Sequence, residues 1–148
     1  RTDVNDTVQR LARVFGKLAR DKDLTLNMPE KAIFFAGEKE DLEEIIGNLL
    51  ENAAKWAESS IVVSLDTVAA KRDERNVFRL LVEDDGPGIP EDQAKQAIKR
   101  GRRLDETKQG SGLGLNIVTD LVEEYGGRLT LGKSQLGGLR AEVELRIA

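Results

Sequence analysis

Three segments of the sequence carry residues that could bind a metal ion and an anion. In the first, Asn48, Asn52 and Lys55 recur at helical spacing, so one stripe of a helix presents two carboxamides and a cation. Asparagine is unfavourable in helix interiors, so its repetition one turn later suggests that the two amides coordinate a ligand. An amide carbonyl suits a hard cation such as Mg²⁺. A solvated polar face is nevertheless the commoner reason for such a stripe.

The second segment, residues 82–90, ends a predicted strand with carboxylates and then turns on glycines. Asp84 can accept a hydrogen bond there, and Gly86 and Gly88 allow a ligand or another stretch of backbone to approach closely. Taken alone, the segment is a weak signal, because an ordinary acidic turn after a strand is also plausible.

The third segment, residues 110–115, reads Gly-Ser-Gly-Leu-Gly-Leu and opens a predicted helix. Unpaired N–H groups and the helix dipole at such a start attract phosphate. The segment is not a dinucleotide fingerprint, because no strand precedes it, and it lacks the Gly-Lys-Ser/Thr of a P-loop. By itself it could also be a flexible helix entry whose glycines serve packing.

Apolar periodicity places these segments on a small set of helices and strands. It predicts helices over residues 4–18, 40–57, 91–100 and 113–122, the last of them stopped by Gly126 and Gly127. Strands are predicted over residues 24–28, 33–36, 61–68, 76–83, 128–131 and 140–147, with turns at residues 71–75 and 137–138. Residues 101–110 are charged and lack periodicity, which predicts a mobile loop.

The predicted fold class is α+β. We expect a two-layer α/β sandwich, in which a mixed, mostly antiparallel five-stranded sheet is covered on one face by about three helices. With 148 residues, of which 39% are hydrophobic and 34% charged, the chain fits one globular domain, residues 1–148.

The composition excludes several classes of function. The sequence contains no cysteine and no histidine, so thiol chemistry, histidine metal ligands and a phosphohistidine formed within this chain are all excluded. A net charge of -4 argues against general nucleic-acid binding. No apolar run approaches the roughly 20 residues that span a bilayer, and no signal peptide is evident.

Taken together and in this order, the three segments resemble the N box and the two glycine boxes of the ATPase superfamily of gyrase, heat-shock chaperones, histidine kinases and MutL, which shares the Bergerat fold. Residues 48–56, Asn-Leu-Leu-Glu-Asn-Ala-Ala-Lys-Trp, and residues 84–90, Asp-Asp-Gly-Pro-Gly-Ile-Pro, look most like the catalytic, ATP-binding domain of sensor histidine kinases. Residues 100–105 and 136–143 are similar to PhoQ-type sensor kinases. The resemblance covers nearly the whole chain.

The resemblance implies two cofactors, ATP and Mg²⁺, and a set of residues that contact them. These residues are Asn48, Asn52, Lys55 and Trp56 on the helix; Asp84, Gly86, Gly88 and Ile89 after the strand; and Arg100, Arg103, Lys108, Gly110, Ser111, Gly112, Leu113, Gly114 and Leu115 at the lid and the following helix.

Individual roles also follow from the resemblance. Asn52 is expected to hold the Mg²⁺ that bridges the phosphates, with Asn48 as a second metal contact, and Lys55 is expected to face phosphate oxygens. Asn52 and Lys55 are therefore the expected catalytic residues. Asp84 is expected to accept a hydrogen bond from the exocyclic amine of adenine, and Trp56, where tyrosine is often found, to pack near the nucleotide.

The loop at residues 101–110 becomes a flexible ATP lid in this interpretation. Its glycines would let backbone N–H groups close on the phosphates, and its candidate cations are Arg100, Arg103 and Lys108. The segment at residues 97–100, Ala-Ile-Lys-Arg, departs from the phenylalanine-rich stretch that many kinases carry before the lid.

The chain lacks the phosphoacceptor histidine, which in this family lies on a helical dimerisation domain that would precede Arg1. We therefore expect a protein-histidine kinase domain that binds ATP but cannot phosphorylate itself. The implied partners are that dimerisation domain and a downstream response regulator, with no nucleic acid and no direct membrane contact. The parent protein is expected to be a homodimer anchored in the inner membrane, with this domain in the cytoplasm.

Two alternative functions use the same nucleotide pocket. One is a serine kinase of the anti-sigma-factor type, and the other is a gyrase-like ATPase module. Both groups usually carry glutamate four residues before the metal-binding asparagine, as a general base. This chain has Asn48 at that position, and an amide cannot accept a proton at neutral pH. A neutral imidazole needs no such base, which favours transfer to histidine. A non-enzymatic module that only binds nucleotide is also compatible with the sequence.

Overall fold

The computed structural model of the chain describes residues 1–68, 76–89 and 114–148. Within these ranges the helices are α1 (Val4–Leu18), α2 (Lys39–Trp56) and α3 (Leu115–Glu124). The strands are β1 (Thr2–Asp3), β2 (Asp23–Asn27), β3 (Phe34–Phe35), β4 (Ser60–Val68), β5 (Val77–Asp84), β6 (Arg128–Lys133) and β7 (Leu139–Arg146).

Five of the strands form one mixed sheet in the order β2-β4-β5-β7-β6. The β2–β4 pair is parallel, and the β4–β5, β5–β7 and β6–β7 pairs are antiparallel. Side chains on β5 alternate between buried and half-buried positions, as expected for a sheet with one face against the core. The predicted α+β fold class is therefore confirmed, including the mixed five-stranded sheet.

Helix α2 occupies the centre of the helical layer, in contact with both α1 and α3 and with strand β5. Its apolar face is almost fully buried and comprises Leu42, Ile45, Ile46, Leu49, Leu50 and Ala53. Burying each large aliphatic side chain of this kind contributes roughly 1.5–3 kcal/mol relative to leaving it in water. The polar stripe of the same helix is therefore held in a fixed position over the sheet.

Helix α3 begins and ends at glycines. Gly114, at its N-cap, has a φ of 66° and thus adopts the left-handed conformation. At the other end, Gly126 has a φ of 72°, and the Gly127 N–H donates a hydrogen bond to the Val122 carbonyl at 2.9 Å. Glycine tolerates this conformation at no steric cost, so the predicted stop of the helix is confirmed.

The predicted elements within the described ranges agree with the observed ones to within two residues at each end. One strand was not predicted: Thr2–Asp3 pairs with Phe34–Phe35 in a separate two-stranded antiparallel sheet. The predicted turn at residues 71–75, helix at 91–100 and lid at 101–110 lie outside the described residues. Among the described residues, no helix is long and apolar enough to cross a membrane.

Substitution of Gly127 tests the packing of the end of α3 on the sheet. An alanine Cβ at Gly127 would lie 2.2 Å from the Glu144 carbonyl oxygen, whereas a Cβ at Gly132 would meet nothing within 4 Å. We expect Gly127→Ala to lower the free energy of unfolding by about 1–3 kcal/mol through overpacking. Gly132→Ala, the matched control, should change it by less than about 0.5 kcal/mol. Urea denaturation measures both, and equal effects of the two substitutions would contradict this packing.

Candidate functional site

The three segments that carry the predicted site pack together at α2, and the region between them is termed the crevice. The turn after β5 packs on the end of α2, since a Cβ added at Gly86 would lie 2.2 Å from the Trp56 carbonyl oxygen. The start of α3 packs on the middle of α2, since a Cβ added at Gly114 would lie 2.5 Å from Asn48 Oδ1. The approach at Gly86 requires glycine because its neighbour is backbone, whereas Gly114 is favoured by its left-handed φ of 66°.

Asn52 lies on α2 between Asn48 and Trp56 and has an unsatisfied side-chain carbonyl. The residue is only 6% exposed, and its Oδ1 is buried without a hydrogen-bond partner among the described residues. Leaving a buried acceptor unpaired costs about 1–3 kcal/mol, so such an atom calls for an explanation, of which an absent ion is one. A carboxamide oxygen is a ligand that Mg²⁺ accepts, and the site at Asn52 therefore fits this metal.

Asn48 is oriented by a local hydrogen bond. Its Nδ2 donates to the Glu44 carbonyl, one helical turn back, at 2.7 Å. Because the amide nitrogen is used in this way, the oxygen points toward Gly114 at the start of α3. The second predicted amide oxygen therefore lies next to the backbone N–H groups that open α3.

Lys55 and Trp56 end the polar stripe at the mouth of the crevice. Both side chains are exposed, and Lys55 Nζ lies 5.3 Å from the centroid of the Trp56 ring. A cation–π contact at an exposed site is worth about 0.5–1 kcal/mol, so the amine can leave the ring for a stronger partner at little cost.

Asp84 is buried at the end of β5, with one carboxylate oxygen held by the protein. The residue is 2% exposed, and Oδ1 accepts hydrogen bonds from the Gly86 N–H at 2.8 Å and from the Leu139 N–H at 3.3 Å. Gly138 closes the other side of this oxygen, and its N–H donates to the Asp84 carbonyl at 3.1 Å. Among the described residues, no hydrogen bond is recorded at Oδ2, which leaves this oxygen to accept one from a ligand.

The burial of Asp84 disfavours its charged form. Burial raises the pKa of this carboxyl above its ordinary value, while the Gly86 and Leu139 N–H groups act in the opposite direction. Nearby charges add smaller effects: Asp85 raises the pKa and Lys22 lowers it. The charged form of Asp84 is thus poorly stabilised by its buried surroundings.

The glycines after Asp84 shape the floor of the crevice. Gly86 is buried against the end of α2, and Gly88 has a φ of 73° and lies next to Gly138 of the β6–β7 turn. Ile89 is partly buried and packs against the hydrophobic core. The predicted contacts Gly86, Gly88 and Ile89 therefore lie together with Asp84, as the sequence pattern indicated.

At the start of α3, Gly114 and Leu115 have different positions. Gly114 lies in the crevice, but the Leu115 side chain is 2% exposed and belongs to the hydrophobic core. Leu115 can therefore face a ligand only through its backbone. The remaining predicted contacts lie outside the described residues: Arg100, Arg103, Lys108, Gly110, Ser111, Gly112 and Leu113.

Sequence reasoning missed two features of the site. The β6–β7 turn, through Gly138 and Leu139, supplies hydrogen bonds to Asp84, but the sequence indicated only a hairpin turn there. Lys22 donates from Nζ to the Ala54 carbonyl at 2.6 Å, near the end of α2, in a contact between distant segments. A lone lysine in a loop gives no sequence signal for such a contact.

The buried Asp84 carboxylate and the unpaired Asn52 amide oxygen, both next to the start of α3 or the end of α2, are features expected of a ligand site in an α/β sandwich. Comparison with known proteins is consistent with this description. The family model for histidine kinase-, DNA gyrase B- and HSP90-like ATPases matches residues 37–148. The chain therefore belongs to this ATPase family.

Individual relatives are sensor proteins. The chain is 52% identical over 108 residues to the sensor protein kinase CarS of Pseudomonas aeruginosa, a match that covers 73% of this chain and 23% of CarS. It is 34% identical over 139 residues to the sensor protein PhoQ of Escherichia coli, covering 92% of this chain and 27% of PhoQ. The chain thus spans about a quarter of the length of these curated relatives.

A solved structure shares the fold along the whole chain. The mycobacterial sensor histidine kinase MprB superposes with a TM-score of 0.78 at 25% identity, over 99% of this chain and 95% of the MprB chain.

The raised pKa of Asp84 predicts how stability depends on pH. The folded protein binds the Asp84 proton more tightly than the unfolded chain does. The free energy of unfolding therefore falls as pH rises from the ordinary carboxyl pKa to the raised pKa of Asp84. Asp84→Asn abolishes that loss. We therefore expect the free energy of unfolding of the variant, relative to wild type, to increase with pH across this window and then level off.

Urea denaturation at a series of pH values measures this difference. The matched control is Asp66→Asn, an exposed carboxylate on the β4–β5 hairpin that pairs with Arg79. A relative stability of Asp84→Asn that falls as pH rises would contradict the description of Asp84 as a buried, poorly stabilised carboxylate.

Proposed function

We propose that this chain binds Mg-ATP and transfers its γ-phosphoryl group to a histidine on the helical dimerisation domain of a two-component sensor kinase. The proposal is supported chiefly by the unpaired, buried Asn52 Oδ1 on α2, together with the buried Asp84 carboxylate. The packing of Gly86 and Gly114 against α2 brings the segments that carry these groups next to one another. Membership of the ATPase family supports ATP as the ligand.

In this proposal, Asp84 recognises the base. Its Oδ1 is engaged by the Gly86 and Leu139 N–H groups, so Oδ2 is the oxygen that accepts a hydrogen bond from the exocyclic amine of adenine. A carboxylate already held by two backbone donors cannot rotate away, which makes its remaining acceptor directional. The left-handed φ of Gly88 shapes the turn next to Asp84, and the partly buried Ile89 would contribute an apolar surface.

The phosphates lie at the other end of the crevice in this proposal, between α2 and the start of α3. Asn52 and Asn48 would hold the magnesium ion through their amide oxygens, and Lys55 would face the phosphate oxygens. When bound, the metal ion would offset negative charge on the transferring phosphoryl group. The N–H groups that open α3 favour an anion there, and Arg100, Arg103 and Lys108 are the candidate cations of the lid.

The nucleophile comes from outside this chain, because the sequence contains no histidine. In the transfer, an imidazole nitrogen forms a bond to the γ-phosphorus, the bond to the β-phosphate oxygen breaks, and ADP leaves. The chain contributes positioning and charge stabilisation rather than proton transfer, since Asn48 occupies the position where a general base would stand. An amide at the general-base position distinguishes the proposed kinase from a gyrase-like ATPase and from a serine kinase.

The relatives CarS and PhoQ are sensor proteins about four times longer than the matched region. We accordingly propose that this domain works in the cytoplasm within a larger homodimeric sensor anchored in the inner membrane. Its partners are then the dimerisation domain, which carries the acceptor histidine, and a response regulator.

Replacement of Asn52 tests the metal side of the site. We expect Asn52→Ala to lower the affinity for ATP by at least about tenfold in the presence of magnesium, because one charge-assisted contact is lost. Without magnesium, wild type and variant should bind ATP alike. Calorimetry measures these affinities, and Asn27→Ala, which removes an exposed amide on β2, is the matched control. An unchanged magnesium dependence in Asn52→Ala would refute the role of Asn52.

Transfer of phosphate tests the reaction itself. We expect the chain, mixed with γ-labelled ATP and a separately supplied histidine-bearing dimerisation domain, to label that domain with an acid-labile phosphate. Without the acceptor domain, hydrolysis of ATP should be slow, because the site lacks a base to activate water. Rapid steady hydrolysis would favour the gyrase-like ATPase, and acid-stable label on serine would favour the serine kinase.

A further inference from the structure

Asp85 lies between Asp84 and Gly86 in the sequence, but its side chain faces the connection between α2 and β4. Its Oδ1 accepts hydrogen bonds from three consecutive backbone N–H groups, those of Glu58 at 2.8 Å, Ser59 at 2.9 Å and Ser60 at 3.1 Å. Its Oδ2 accepts a short hydrogen bond from the Ser59 hydroxyl. The carboxylate therefore binds the whole connection between the end of α2 and the start of β4.

The backbone on either side of Asp85 is fixed to the same two elements. The Asp85 N–H donates to the Ser60 carbonyl at 3.3 Å, which extends the β4–β5 ladder beyond its last pair, Ile61 with Asp84. Gly86 lies directly against the Trp56 carbonyl at the end of α2. A turn of three residues thus carries Asp84, which faces the crevice, and Asp85, which faces the connection.

The charge of Asp85 strengthens these bonds. The hydrogen bonds from the Ser59 hydroxyl, then from the Ser59 and Ser60 N–H groups, hold the pKa of Asp85 well below its ordinary value. Asp85 is consequently ionised at any pH near neutrality, and hydrogen bonds to a charged acceptor are about twice as strong as those between neutral groups.

We propose that Asp85 is a positioning residue of the nucleotide site: by holding the connection after α2 against the turn at residues 84–86, it sets the placement of the Asp84 carboxylate relative to the polar stripe of α2. The inference rests on the proposed function, because it concerns where Asp84 lies relative to Asn52. Asp85 itself does not touch the nucleotide in this account.

Two substitutions at Asp85 test the inference, because they retain different hydrogen-bonding groups. Asp85→Ala removes every acceptor, whereas Asp85→Asn keeps the shape and one carbonyl oxygen for the three N–H groups, and its amide can donate to the Ser59 hydroxyl. We expect Asp85→Ala to lower the affinity for ADP about tenfold. Asp85→Asn keeps an acceptor for the three N–H groups but loses the charge that strengthens these bonds, so we expect a smaller loss, of about threefold.

The dependence on magnesium separates Asp85 from the residues at the phosphates. Because Asp85 acts on the base-recognising turn, the loss in Asp85→Ala should be the same for ADP without magnesium and for ATP with magnesium. Ser59→Ala removes only the hydroxyl donor, so it should cost no more than about threefold. Asp66→Ala is the matched control, since Asp66 is an exposed carboxylate of the same hairpin that accepts hydrogen bonds from Arg79.

Calorimetric affinities are measured at a temperature where urea denaturation shows each variant to be fully folded. If Asp85→Ala is less stable but binds ADP as tightly as wild type, Asp85 serves only the fold and the inference is overturned. If Asp85→Ala does not fold, the Asp85→Asn affinity decides: a loss of about threefold for ADP supports the inference, and an affinity equal to that of wild type overturns it. If wild type itself binds no nucleotide, the proposed function fails instead.

Discussion

The candidate site depends on a close approach of backbone to backbone at the end of α2. The turn after β5 lies against the Trp56 carbonyl with no side chain between them, because residue 86 is glycine. Gly138 allows the β6–β7 turn to reach Asp84 in the same way, and Gly114 allows the start of α3 to reach Asn48. A Cβ at Gly86 or Gly138 would collide with backbone of the neighbouring segment, and a Cβ at Gly114 would displace the Asn48 side chain. The glycines are therefore as necessary to the crevice as the residues that face it.

Two groups in the crevice reduce the stability of the folded protein. Asp84 is buried with a raised pKa, and Asn52 Oδ1 is buried without a partner in the described part of the chain. A fold selected for stability alone would replace both with apolar side chains. Departures of this kind cluster at functional sites. Their occurrence together, next to the start of a helix, is better explained by a ligand that supplies the missing interactions than by packing.

Much of the fold could be predicted from sequence because it follows from regular periodicity. The apolar face of α2 and the alternation along β4 and β5 have clear repeats, and Gly126-Gly127 marks the end of α3. The strand Thr2–Asp3 escaped prediction because two residues have no period, and its pairing with Phe34–Phe35 depends on the tertiary fold. The same reason applies to the site: Asn52 and Asp84 were predicted from local motifs, whereas the contacts of Lys22, Leu139 and Asp85 join segments that are distant in sequence.

In the proposed function the site has a base end and a phosphate end, and residues that touch no ligand then matter because they set the distance between the two ends. The Asp84 carboxylate and the Asn52 amide belong to different elements, a strand and a helix, and only the packing between these elements sets their separation. The hydrogen bonds between Asp85 and the connection from α2 to β4 hold these two elements together. We propose that they contribute to recognition by fixing this geometry.

The most direct test of the central claim is a crystal structure of the chain with magnesium and a non-hydrolysable ATP analogue. The account predicts that Asn52 Oδ1 coordinates the metal ion and that Asp84 Oδ2 accepts a hydrogen bond from the amine of adenine. A nucleotide bound away from this crevice, or a crevice filled by the protein's own side chains in the presence of saturating nucleotide, would contradict it.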